Sequence, residues 1–77
     1  MKLHKAVGDR ILEFCRERDI TPNKLSNMSG IIQSTINSIF SGRSKNPTLF
    51  TILCICEGLG IKFKEFFDSP LFDNIEN

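Results

Sequence analysis

The stretch TPNKLSNMSGIIQSTINSIFSG, residues 21–42, decides the fold. Thr21 is a good helix N-cap, and Pro22 after it sits where a missing N–H costs nothing. Leu25 and Met28, three residues apart, are expected to point inward. Ser29-Gly30 ends this short helix, because glycine takes the left-handed conformation that a tight turn needs. A second helix is predicted from about Gln33 to Phe40. Thr35, Ile36, Ile39 and Phe40 form its buried stripe, preceded by Ile31, and Ser41-Gly42 terminates it.

Working outward, the N-terminal side reads as a longer helix from about Lys5 to Arg18. Val7, Ile11, Phe14, Cys15 and Arg18 fall on one stripe, and Lys5, Asp9, Arg10, Glu13, Arg16 and Glu17 occupy the solvated face. On the C-terminal side a loop, Arg43 to Pro47, leads to Thr48, which caps a helix reaching about Gly58. Leu49, Ile52, Ile55, Cys56 and Leu59 are its inward set, and Gly60 closes it. A last short helix covers Phe63 to Phe67 and Pro70 stops it. No sustained apolar/polar alternation and no hairpin dipeptide occurs. The expectation is a compact all-α domain of five helices over residues 1–69. An acidic tail, 70–77, is expected to fray.

Seventy-seven residues allow one domain. A chain this small has little spare stability for a deep catalytic pocket. Apolar residues at 40% and charged residues at 25% are ordinary for a soluble globular chain. No apolar run approaches the roughly 18 residues of a membrane span. Met1 to Arg10 lacks the apolar segment of a secretory signal. Three cysteines, all with apolar neighbours, suggest a reduced, cytoplasmic protein and not a disulfide scaffold. Net charge is only +1, but its distribution is uneven. Residues 20–56 carry Lys24, Arg43 and Lys45 and no acid, whereas residues 65–77 carry Glu65, Asp68, Asp73 and Glu76 and no base. The middle of the chain therefore holds nothing that repels a polyanion.

A short helix, a glycine turn and a second helix opening on small polar residues is the helix-turn-helix arrangement. The start of such a second helix can enter a DNA major groove about 12 Å wide. Its outward residues are Gln33, Ser34, Asn37 and Ser38, all hydrogen-bonding and none acidic. Gln can pair with adenine N6 and N7, and Ser is compatible with any base. An isolated run of this kind is more often a plain solvated helix face. The acid-free window, the glycine turn and the basic loop at Arg43 and Lys45 weigh against that.

In these residues and their spacing the chain resembles the Cro/repressor-type (XRE-type) helix-turn-helix family over about residues 6–67. The resemblance rests on Ile11, Thr21 with Leu25, Gly30, Ser34-Thr35-Ile36, Gly42, Asn46-Pro47-Thr48-Leu49, Ile55, Leu59-Gly60-Ile61 and Phe66-Phe67. It implies a lambda-repressor-like domain that binds double-stranded operator DNA as a homodimer and regulates transcription. It carries base reading to Gln33, Ser34, Asn37 and Ser38. It carries phosphate contact to Asn23 and Lys24 and to Arg43, Lys45 and Asn46. Three positions depart from the pattern. Pro22 stands where the family has a phosphate-contacting Gln. Ile32 stands where it has a capping Ser or Thr; it can instead pack on a thymine methyl. Cys15 and Phe40 replace an Arg–Glu pair, the tolerable way to lose a partly buried ion pair.

Other features carry less. Cys54 and Cys56 lie about 200° apart on a helix, so their thiols diverge and core filling is the better reading. His4, alone near a terminus, is expected to be solvated. Neither a metal, a cofactor, a small-molecule substrate nor enzymatic activity is expected. Phe50, Leu71 and Phe72, with Phe63, either form a dimer contact, as the resemblance implies, or close the core. A second functional class stays open, a helix-turn-helix-like protein-interaction module such as an antitoxin or a phage-encoded partner protein. Low net charge, Pro22, Ile32 and the phenylalanines favour it.

Overall fold

The computed structural model describes residues 1–76. Five α-helices follow in order: α1 Leu3–Arg18, α2 Pro22–Ser29, α3 Gln33–Ser41, α4 Leu49–Leu59 and α5 Phe63–Phe67, then a one-turn 3-10 helix, Pro70–Phe72. Among the described residues the only extended pairing is an isolated parallel bridge between Lys2 and Glu76. The all-α, five-helix architecture expected of the chain is the one observed.

Local chemistry sets most boundaries. Thr21 Oγ1 accepts from the Lys24 N–H at 3.1 Å, and Thr48 Oγ1 accepts from the Thr51 N–H at 3.1 Å. Each cap satisfies one of the orphan donors of a helix start. Gly30 adopts φ 75° at the C-terminus of α2, which lets the chain reverse without strain. α1 is the exception. It ends on Asp19 at φ 52°, after which the Ile20 N–H closes on the Cys15 carbonyl at 3.0 Å. Asp is one of the few side chains that tolerate this region, and nothing in the spacing announced it.

The core joins Val7, Ile11, Phe14 and Cys15 of α1 to Leu25, Ile36, Ile39, Ile52, Ile55, Cys56, Leu59, Ile61 and Phe66. No polar or charged residue is buried among the described residues. Cys15 is buried and Phe40 packs on the core's edge, so the two positions expected to replace an ion pair are both apolar in place. Two backbone approaches hold the central helices on this body. A Cβ at Gly58 of α4 would lie 2.8 Å from Ser29 Cα, and one at Gly8 of α1 would lie 3.2 Å from the Ile39 carbonyl oxygen.

Several side chains lie elsewhere than expected. Leu49 is 68% exposed and Met28 is 37% exposed, although both were expected inward. Both lie near helix ends, where the apolar stripe runs past the edge of the neighbouring helix. Arg18 is exposed, with its guanidinium 5.2 Å from the Phe14 ring centre, so the arginine covers the core instead of entering it. Arg10, read as part of the solvated face, is the most sequestered charge of α1 and binds the carbonyls of Glu65, Phe66 and Asp68.

The acidic tail lies against the body of the domain. Ser69 Oγ caps the 3-10 turn through the Leu71 N–H at 3.2 Å. Phe72 then joins Phe66 and Phe67, with ring centres 6.1 and 5.1 Å away. The Glu76 N–H donates to the Met1 carbonyl at 3.0 Å, and the Met1 ammonium lies 3.6 Å from the Glu76 carboxylate. The segment returns because an aromatic side chain finds a cluster to join, which outweighs the cost of ordering a few residues. Asn77, part of the same expected tail, lies outside the described residues.

Candidate nucleic-acid interface

α2 and α3 meet through a turn held by two serines. Ser26 Oγ donates to the Ile31 carbonyl, and Ser29 Oγ accepts from the Ile31 N–H at 3.2 Å. Ile31, half-buried against the core, is thereby fixed by both its peptide groups and its side chain. Ser26 was not singled out from the sequence. Its position, one helical turn before Gly30, was the available signal.

On α3, Ile36 and Ile39 are buried, so the helix is anchored by one side. Ser34 and Asn37 stand exposed on the side away from them, and Gln33 is exposed because it opens the helix. Ser38 is half-buried, and its carbonyl accepts from the Ser44 N–H at 3.0 Å and from the Ser41 hydroxyl at 3.3 Å. The start of α3 is thus the freer part of the helix, and its end is tied into the following loop.

That loop brings positive charge to the same surface. Arg43 Nε donates to Ser41 Oγ at 3.2 Å, which holds the guanidinium beside the end of α3. Ser34, Thr35, Ser38, Arg43 and Ser44 line one shallow, open depression of about 320 Å³. Four of these five side chains carry hydroxyls and the fifth is cationic, a lining that suits phosphate oxygens and base edges. Lys45 and Asn46 are exposed further along the loop, and Asn23 and Lys24 are exposed on the first turn of α2. The first turns of α2 and α3 carry no acidic residue. Their N–H groups add partial positive charge, which favours phosphate at those ends.

Of the candidate contact residues for a second chain, Phe50 is 71% exposed. With Leu49, Leu53 and Phe63 it lines an apolar depression on the outer side of α4. Phe72 is turned into the aromatic cluster and Leu71 is half-buried beside Met1 and Glu13. Phe72 thus takes the core-closing place that was the alternative to a contact between copies, while Leu49, expected inward, and Leu53, not singled out from the sequence, add exposed apolar surface beside Phe50.

The cysteines do not form a centre. Cys15 and Cys56 are buried and Cys54 is half-buried. Burial pushes the Cys15 and Cys56 thiols above the usual range, against a smaller opposing effect of Arg18 on Cys15. Both therefore favour the protonated form, which binds metal poorly. Among the described residues no three His, Cys, Asp or Glu side chains gather where a metal ion could sit. No helix among them is long and apolar enough to cross a membrane.

This geometry agrees with what the chain is similar to. The Cro/C1-type HTH DNA-binding domain family matches residues 10–70. The uncharacterized HTH-type transcriptional regulator y4dJ of Sinorhizobium fredii (strain NBRC 101917 / NGR234) is 31% identical over 65 residues, covering 84% of this chain and 83% of that protein. The crystal structure of the prophage Lp1 protein 11 superposes with a TM-score of 0.83 at 37% identity, covering 97% of this chain and all of the other.

Proposed function

The chain belongs to the Cro/C1-type helix-turn-helix DNA-binding family, and from that premise we propose that it is a sequence-specific transcriptional regulator of the repressor/Cro type. It binds operator DNA as a homodimer. The family is one of DNA-binding transcription regulators, which are not normally enzymes.

The observation that carries this reading is the exposed, acid-free start of α3 beside Arg43. Gln33, Ser34 and Asn37 read base edges in the major groove, with Ser38 at the margin of the contact. Asn23, Lys24, Arg43, Lys45 and Asn46 hold phosphates on either side and set the register. Pro22 removes one phosphate donor, so Asn23 and Lys24 take that duty on α2. The apolar depression around Phe50 supports self-association of two copies. Each copy then reads one half-site, the two spaced by about one helical turn, roughly 34 Å.

In-vitro selection from a randomised duplex pool, at near-physiological salt and with sequencing of the bound fraction, tests this. An enriched inverted repeat with half-site centres about 10 bp apart is the expected result. A folded protein that enriches no motif would remove the reading and leave the protein-interaction class.

A further inference from the structure

Ile32 is 67% exposed, among the most exposed large apolar side chains of the molecule. It sits immediately before α3, at φ −61° and ψ 147°, and makes no side-chain cap. Its carbonyl, not its side chain, closes the first turn, accepting from the Thr35 and Ile36 N–H groups at 3.0 and 3.2 Å. Its neighbour Ile31 is turned to the core, which leaves Ile32 directed outward beside exposed Gln33.

An isoleucine here is unfavourable for the free protein on two counts. It forgoes the stabilisation that Ser, Thr, Asn or Asp supplies at an N-cap. It also leaves a branched aliphatic side chain in water, on a surface otherwise made of amides, hydroxyls and cations. Neither cost is recovered by packing within the chain. Both are recovered if the side chain is covered on binding, and the apolar group that a major groove presents is the C5 methyl of thymine.

Resting on the assignment of α3 to the major groove, we infer that Ile32 is a specificity-determining residue that reads a thymine methyl next to the base addressed by Gln33. A serine at this place would be compatible with any base, whereas a β-branched aliphatic side chain holds a fixed shape against the methyl. Each half-site should therefore contain one thymine whose methyl, and not only whose hydrogen-bonding edge, contributes to affinity.

The test uses the duplex enriched by selection, resynthesised with each thymine in turn replaced by 2′-deoxyuridine. This change removes the methyl and keeps the pairing. For the unaltered protein, one symmetric pair of positions should weaken binding by about fourfold per half-site, the worth of one buried methyl. Ile32→Ser and Ile32→Ala should bind the thymine and uracil duplexes equally at that position. Ile32→Ser should also keep or raise the melting temperature, since it restores a cap and removes no core contact. If deoxyuridine is silent at every position, or if the variants still discriminate, the inference fails while sequence-specific binding stands. A fall in melting temperature for Ile32→Ser with methyl discrimination intact would make Ile32 a structural residue and overturn the inference. If no duplex is enriched at all, the assignment of α3 fails first and the inference with it.

Discussion

Arg10 Nε donates to the Phe66 carbonyl oxygen at 2.7 Å, joining residues 56 positions apart. The same guanidinium reaches the Glu65 and Asp68 carbonyls at 2.9 and 3.3 Å through Nη2, pairs with Glu13 through Nη1 at 3.1 Å, and lies 4.3 Å from the Phe14 ring centre. These carbonyls at the end of a five-residue helix, of which only that of Glu65 also accepts a backbone N–H, from Asp68 at 3.3 Å, are thus met by a planar fork of donors. Arg10→Ala should cost about 2 kcal/mol, the usual worth of hydrogen bonds to a charged group in a partly buried place. For a domain of this size that lowers the melting temperature by about 8–16 °C. Arg10→Lys should recover little, because an ammonium cannot span three carbonyls. Thermal unfolding followed by circular dichroism measures both, and full recovery by Lys would reduce the clasp to a simple charge.

Gly58→Ala tests how closely α4 lies on α2. In an exposed helix interior this change stabilises by about 1 kcal/mol. Here the new Cβ would lie 2.8 Å from Ser29 Cα and 2.9 Å from the Met28 carbonyl group, which are backbone atoms and cannot rotate aside. Overpacking costs about 1–3 kcal/mol, so the sign should reverse to a net loss. A denaturant midpoint that rises would mean that the two helices separate at no cost.

What the chain's order of residues discloses, and what it hides, follows from the range of the interactions. Thr21, Gly30, Gly42, Thr48 and Gly60 act on peptide groups a few residues away, so the helix limits they set were legible. The buried Ile36 and Ile39 of α3 and most of the buried set of α4 follow from helical spacing alone, whereas Thr35, expected in the same stripe, is half-buried and lines the polar depression. The role of Arg10 was hidden because its partners come from the far end of the chain, and on its own helix it sits among charged neighbours. Leu49 misled because periodicity gives a side, not the extent of the surface that covers it. For Phe72 the sequence left two places open, a contact between copies or the core, because an acidic setting says nothing of an aromatic cluster assembled from α1 and α5. In the candidate interface the same division holds. The polar residues of α3 follow from the turn that precedes them, whereas the joining of Arg43 to the end of α3 through Ser41 depends on loop geometry.

Thiol alkylation should separate the three cysteines. Cys54 is half-buried, whereas Cys15 and Cys56 are buried with thiols raised by burial. A higher pKa leaves less thiolate at neutral pH, and burial blocks what remains. One adduct should form quickly on the native protein, at Cys54, and three after denaturation, as read by mass spectrometry. The two slow sites should react at the rate of unfolding, and conditions that destabilise the domain should quicken them. Rapid labelling of Cys56 would mean that α4 opens locally.

Phe50→Glu should keep the fold, since the side chain is 71% exposed, and should weaken self-association by putting a charge on the apolar depression. Sedimentation should report a shift towards the monomer mass, with an unchanged helical spectrum. Because each copy supplies one reading helix, affinity for a two-half-site duplex should fall far more than affinity for a single half-site. A variant that stays dimeric would put the contact between copies elsewhere.

Lys45→Ala and Gln33→Ala should weaken binding in distinguishable ways. Lys45 is exposed on the loop after α3, where an ammonium meets phosphate without regard to sequence. Its loss should lower affinity alike for matched and mismatched duplexes. The slope of log K against log salt should flatten by about 2 for a dimer, roughly one counterion released per lost contact. Gln33 stands exposed at the first position of α3, where a side-chain amide pairs with a base edge. Its loss should cost about 1–3 kcal/mol on the preferred duplex and little on one altered at that base pair, with the salt slope unchanged. Titration of both variants against both duplexes at several salt concentrations gives all four quantities. Equal losses for Gln33→Ala on every sequence would move it among the phosphate contacts and leave base reading to Ser34 and Asn37.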